Sequence, residues 1–128
     1  MARYSRAILV LALVLTVAAC QHPSTSIYLV NMDSEPYYVT LDVSDGLDSL
    51  TDFVVLPGEK GLIFSDTGDY ASEVTLRGTD CVDLEHVGLQ PGRTLLTISA
   101  GRLEAARDVN LAEFPPGFLS EASDCVGI

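Results

Sequence analysis

The chain has no tryptophan, a single lysine (Lys60), two histidines and only seven basic residues against 18 acids. Each scarcity removes a class of function. A formal charge of −11 repels DNA, RNA and anionic lipid headgroups alike, so nucleic-acid binding is excluded. A glycosidase would need one distinct carboxylate pair beside an aromatic-lined cleft; without tryptophan, and with 18 acids, no pair stands out. There is no Gly-x-Ser-x-Gly elbow and no glycine-rich phosphate loop, so neither a serine-hydrolase nor a nucleotide signature is present. Long apolar runs are also missing. The longest covers residues 7–19, 13 positions with Thr16 the only polar one, against the roughly 20 that a spanning helix requires.

What is present begins with that run. Arg3 and Arg6 precede it, and small residues close it, which is the layout of a secretory signal. Val17-Ala18-Ala19-Cys20 resembles the lipobox of bacterial lipoproteins: an aliphatic residue, two small residues, then cysteine. The resemblance covers residues 1–20 and implies a diacylglyceryl group on the Cys20 sulfur, cleavage just before it and acylation of the new amino terminus by a fatty acid such as palmitate. An ordinary signal peptide with a chance cysteine, or an uncleaved anchor, is the alternative. One acyl chain holds a protein only marginally, whereas two or three hold a small domain stably. Gln21 stands where an aspartate would favour inner-membrane retention in this family, so the resemblance implies the extracytoplasmic side of the outer membrane in a diderm cell.

The expected domains are therefore a signal peptide (1–19), a lipidated cysteine with a short tether (20–25) and one folded unit (26–128). Without residues 1–19 the chain keeps 109 residues, one domain's worth, and loses both signal arginines. Five bases then face all 18 acids, a formal charge of −13. Three cysteines are odd in number. With Cys20 assigned to lipid by the resemblance, Cys81 and Cys125 remain and are expected to pair in an oxidising compartment; two free thiols are the alternative. Two cysteines and His86 do not complete a four-ligand zinc site.

Periodicity switches to two after residue 25. Residues 27–32 and 37–43 alternate around Asp33-Ser34-Glu35-Pro36 and read as a hairpin. Residues 45–52 read as a loop. Short apolar strands follow at 53–56 and 61–64 around Pro57-Gly58, then at 72–77, 81–87 and 94–99, with Gln90-Pro91-Gly92-Arg93 as a second turn. Period two continues through Leu103, Ala105, Val109 and Leu111 after a turn at Ala100-Gly101. Leu-Glu-Ala-Ala-Arg has high helix propensity, so helix is the alternative over 103–114. Phe114-Pro115-Pro116-Gly117-Phe118 ends regular sheet and is expected to pack both phenylalanines back on it. Seven to eight short strands separated by frequent turns predict an all-β, Ig-like antiparallel sandwich. The mature part thus resembles the small Ig-like envelope lipoproteins of unassigned function, a resemblance that carries no functional residue.

Chemistry is sparse. His86 lies among Asp83, Leu84 and Glu85, but a lone histidine near acids is ordinarily a surface residue. Asp42, Asp45 and Asp48, with Asp66 and Asp69, are candidate calcium ligands, although the alternating acids of an EF-hand are not met. The reading is a membrane-anchored, non-catalytic binding or envelope-structural module with no cofactor. A calcium- or ligand-binding accessory protein is the alternative, and a small hydrolase a third. The acidic stretches 42–52 and 66–69 are expected to point away from the bilayer, where a cationic protein, polyamine or calcium could meet them.

Overall fold

A computed structural model describes residues 25–43, 50–122 and 124–125. The signal segment, Cys20, Asp45 and Asp48 lie outside the described residues. Eight strands form two four-stranded sheets: β1 (Thr25–Asn31), β2 (Tyr37–Val43), β3 (Leu50–Val55), β4 (Lys60–Asp66), β5 (Ser72–Arg77), β6 (Asp83–Leu89), β7 (Arg93–Ser99) and β8 (Arg102–Arg107). One sheet has the order β4-β1-β7-β8 and the other β3-β2-β5-β6. Their inward faces meet in one core, to which Ile27, Leu29, Leu96 and Ile98 contribute from the first sheet and Val39, Leu41, Val74 and Leu76 from the second. The protein is a β-sandwich, as its period-two pattern predicts. On β2 the alternation is clean: Tyr37, Val39, Leu41 and Val43 are buried, while Tyr38, Thr40 and Asp42 face out.

Several local expectations are corrected. β1 and β2 are not a hairpin. Both edges of β1 are occupied, by β4 antiparallel and by β7 parallel, so β2 crosses to the other sheet. The β1–β7 pair is also a parallel exception to the expected antiparallel sandwich, since both strands start from the same end. The short strands expected at 53–56 and 61–64 fall in different sheets. Pro57-Gly58 makes a tight turn, with Gly58 at φ 75 and the Glu59 amide donating to the Leu56 carbonyl at 3.0 Å, and the chain passes between sheets. Residues 50–52 belong to β3, not to a loop, and the Asp52 side chain is buried where the Thr40 hydroxyl donates to it at 2.6 Å.

Residues 102–107 are strand, but period two stops there. Asp108 turns at φ 58, and Asn110 caps a single 3₁₀ turn, Leu111–Glu113, by accepting from the Ala112 amide. Cys81 sits in the β5–β6 turn at φ 63, ahead of β6. Of the two tail phenylalanines only Phe114 returns to the sheet, against Tyr28 with ring centroids 4.8 Å apart; Phe118 is exposed and Leu119 is the buried residue.

The tail itself is a strap over two strand edges. Leu62 donates to the Gly117 carbonyl and Leu119 donates back to Leu62, then Val54 donates to Ser120 and Ala122 to Asp52. One short segment thus covers β4 in the first sheet and β3 in the second. Beyond it the Tyr38 hydroxyl donates to Asp124, Arg77 donates to the Cys125 carbonyl, and Cys125 is bonded to Cys81 across a sequence separation of 44. The expected disulfide is present. Edges that would otherwise offer bare amides and carbonyls to a neighbouring chain are thereby closed on this side.

Candidate functional site

Strand direction sorts the loops between two ends. β1 begins at one end, here termed proximal, and finishes at the other, distal, end. The proximal end carries the β4–β5 turn with Asp66 and Asp69, the start of β3 and the end of β2 with Asp42. It is fixed to the first strand: Thr25 pairs with Asp66, its hydroxyl donates to the Gly68 carbonyl at 2.7 Å, and the Tyr70 amide donates to that hydroxyl at 3.3 Å. The Asp66–Asp69 turn therefore lies beside the point where the amino-terminal segment joins the sandwich. β4 runs antiparallel to β1 and ends where β1 begins, which places these acids at the proximal end.

The described calcium candidates, Asp42, Asp66 and Asp69, are not gathered into a site. Asp66 Oδ1 accepts from the adjacent Thr67 amide, while Asp42 lies opposite Glu73 on the outer face of the second sheet. Among the described residues no group of three or more His, Cys, Asp or Glu side chains is placed to hold a metal. His86 is on that same outer face. Its Nδ1 shares a 2.9 Å hydrogen bond with the Thr75 hydroxyl, and its Nε2 lies 3.6 Å from Glu73 Oε2. These partners come from the neighbouring strand β5, not from the sequence neighbours Asp83 and Glu85. Glu85 instead accepts from the Leu103 amide at 2.8 Å and closes a free position on the edge strand β8. A hydroxyl, an imidazole and a carboxylate in line are the parts of a nucleophile relay. Here they stand open on a sheet face, with the histidine and glutamate side chains 55% and 61% exposed, so water competes for each contact.

The distal end is built differently. Asn31 ends β1 with its side chain fully buried. Its amide nitrogen donates to the carbonyls of Glu35 (2.8 Å), Leu56 (3.2 Å) and Val55 (3.3 Å), and its oxygen accepts from the Asp33 amide (2.9 Å). One side chain thus joins the β1–β2 link of one sheet crossing to the end of β3. Asp33 then reaches the β7–β8 hairpin. Its carboxylate accepts from the Ala100 amide at 2.7 Å, the Gly101 amide at 3.0 Å and the Tyr37 hydroxyl at 2.7 Å. Ala100 and Gly101 both have positive φ, 54° and 70°, which is the two-residue turn matched to strand twist, and alanine is unusual there. The two amides pointing at Asp33 help to hold that conformation.

The electrostatics follow from the contacts. The Tyr37 hydroxyl, with the Gly101 and Ala100 amides, holds the Asp33 carboxyl below its ordinary range. That same bond, then burial and the charges of Asp33 and Glu35, push the Tyr37 phenol up to about 12. On this scaffold opens a cleft of about 770 Å³, whose walls include Asp33, Glu35, Asp80 and Leu84.

Against known protein families, characterised proteins and solved structures, the chain gives no match. The distal arrangement was not singled out in the sequence, where Asp33-Ser34-Glu35-Pro36 registers only as turn-forming residues. The available signal was Asn31. It is a polar residue at an inward position of an otherwise apolar alternation, and a buried amide must find partners.

Proposed function

We propose that the protein is a lipid-anchored extracytoplasmic module, held to a bacterial membrane through Cys20 and acting without catalysis, by binding a partner or as part of the envelope structure. The observation that carries this reading is the cysteine pairing. Cys81 and Cys125 are bonded to each other, which suits an oxidising compartment and leaves Cys20, at the end of the lipobox-like stretch, as the one cysteine outside the bond.

The topology supports a particular stance. Only residues 21–24 separate Cys20 from Thr25, and five extended residues reach about 17 Å. The proximal end then sits against the headgroups. The distal cleft stands further out by the length of a seven-residue strand, about 23 Å. Repulsion between proximal acids and anionic headgroups is screened within about 8–10 Å at physiological salt, so it does not prevent this stance. The open position of His86, where water competes for each contact, favours a binding role.

The test is metabolic labelling with a fatty-acid analogue. The protein is expected to take the label and fractionate with membranes, and Cys20→Ala is expected to lose both. Labelling that survives the substitution ends the proposal.

A further inference from the structure

We propose that the distal end is a docking surface for a cationic, amphipathic protein segment. This deepens the binding role proposed above and rests on it for the stance of the domain, not for the chemistry of the surface.

Two independent observations meet at this end. The first is apolar. Among the described residues six large apolar side chains are more than half exposed, and four of them are distal: Met32 after β1, Leu56 after β3, Val82 before β6 and Leu84 near its start. Single exposed apolar residues need no explanation, but their concentration at one end of a small sandwich marks an interaction surface. The second is charge. The cleft at this same end is lined by one of these four, Leu84, and by three carboxylates, Asp33, Glu35 and Asp80, with no lysine, arginine or histidine in its walls. Asp33 is occupied by its three internal donors, and Asp80 Oδ1 accepts from the Val82 amide at 3.2 Å, which leaves Glu35 and the second Asp80 oxygen to face a ligand. Arg77, nearby, is held by Asp83 at 2.8 Å and by the Cys125 carbonyl. Lys60 and Arg102 begin β4 and β8 at this end but do not line the cleft.

Together these choose the occupant. A second copy would bring the same carboxylates face to face, and an anionic bilayer would meet them with like charge; both are disfavoured. A segment carrying leucine-like side chains for the apolar positions and lysine or arginine for Glu35 and Asp80 satisfies both features. The support beneath is rigid, since Asn31, Asp33 and Tyr37 tie the β1–β2 link to the β3 end and the β7–β8 turn, so little ordering is left to the moment of binding.

The experiment uses the full-length lipoprotein in phosphatidylcholine nanodiscs, with empty discs as the blank. Three eight-residue peptides are titrated by surface plasmon resonance: alternating lysine and leucine, lysine and serine, and glutamate and leucine. Failure of the protein to enter the discs bears on the lipid anchor alone and is read before any peptide is added; the titration is then run with the protein free in solution. The lysine–leucine peptide is expected to bind at least tenfold tighter than the other two. The pairs Glu35→Gln with Asp80→Asn, and Met32→Ser with Leu84→Ser, are each expected to weaken it at least tenfold, with circular dichroism unchanged. The proximal pair Asp66→Asn with Asp69→Asn is expected to stay within twofold. Equal losses in the proximal pair would reduce the effect to net charge. Equal binding of the glutamate–leucine peptide would reduce it to apolar adhesion, and no binding of the lysine–leucine peptide would remove the surface altogether. Each of these three results overturns the proposal.

Discussion

Replacing Asn31 separates a buried polar staple from mere polarity at a strand end. Its side chain is 0% exposed and makes contacts to four backbone groups: three carbonyls on its nitrogen and the Asp33 amide on its oxygen. Asn31→Leu keeps the branched outline, adds some apolar volume and removes all four. The Glu35 and Leu56 carbonyls are near enough to the surface to recover water, whereas the Val55 carbonyl is buried beside the lost amide. A buried group left without a partner costs about 1–3 kcal/mol, and the remaining bonds contribute about 0.5–1.5 kcal/mol each. After allowing for rehydration and for the gain of apolar volume, the loss comes to about 2–4 kcal/mol. That is a large share of the 5–15 kcal/mol typical of a domain. Asn31→Asp is the sharper variant. It keeps the acceptor for Asp33 but turns a lone pair, and at neutral pH a charge, towards three carbonyls. It is expected to be the less stable of the two at pH 7, and to recover as the pH falls and the new carboxyl takes up a proton that it can donate. Urea unfolding followed by circular dichroism, with the disulfide intact, measures both. A leucine variant within 0.5 kcal/mol of the parent, or an aspartate variant as stable as the leucine one at pH 7, would refute the reasoning.

Reducing the Cys81–Cys125 bond should lower stability by about 4 kcal/mol on loop-entropy grounds. Because the tail is the strap over β3 and β4, hydrogen exchange should rise first at the Val54 and Leu119 amides; uniform exchange would show the strap to be independent of the bond. The Asp33–Tyr37 pair sets both limbs of a stability profile. The folded carboxyl of Asp33 lies below its unfolded value near about 3.9, so its contribution is present above that pH and is lost as pH falls through the folded value. Tyr37 is the opposite case: its contribution is complete below the unfolded value near about 10 and is lost as pH rises through about 12. Asp33→Asn should flatten the acid limb, and ultraviolet titration should then show the Tyr37 phenol ionising earlier; an unshifted phenol would break the assigned bond.

Most of the architecture was legible because it rests on local periodicity. Tyr37, Val39, Leu41 and Val43 face in for the reason that alternate residues of a strand must, and Gly101 turned a hairpin as its position suggested. Pairing across the chain was not legible in the same way. Whether β1 joins β2 or β7 depends on which strand edges other segments leave open, and Asp33–Pro36 turns the chain equally well within a sheet or between sheets. The acids show the same limit. Asp52 and Asp66 look alike in sequence, yet one is buried against Thr40 and the other caps its own turn. Asp33, the carboxylate with the most donors described here, was indistinguishable from its neighbours because those donors come from residues 100 and 101, far along the chain. His86 met Thr75 and Glu73 through strand pairing, and not the acids beside it in sequence.

The central place of β1 has a consequence for how the molecule comes into being. Its two neighbours are Lys60–Asp66 and Arg93–Ser99, so a chain delivered amino end first holds its most deeply buried strand without its full pairing until about residue 99 has arrived. Contacts of such long sequence separation form slowly. Throughout that interval one edge of β1, with Ile27 and Leu29 beside it, is open to any other extended chain at hand. The vulnerable moment of this protein is thus its own synthesis, and overexpression should fill aggregates with chains caught before β7.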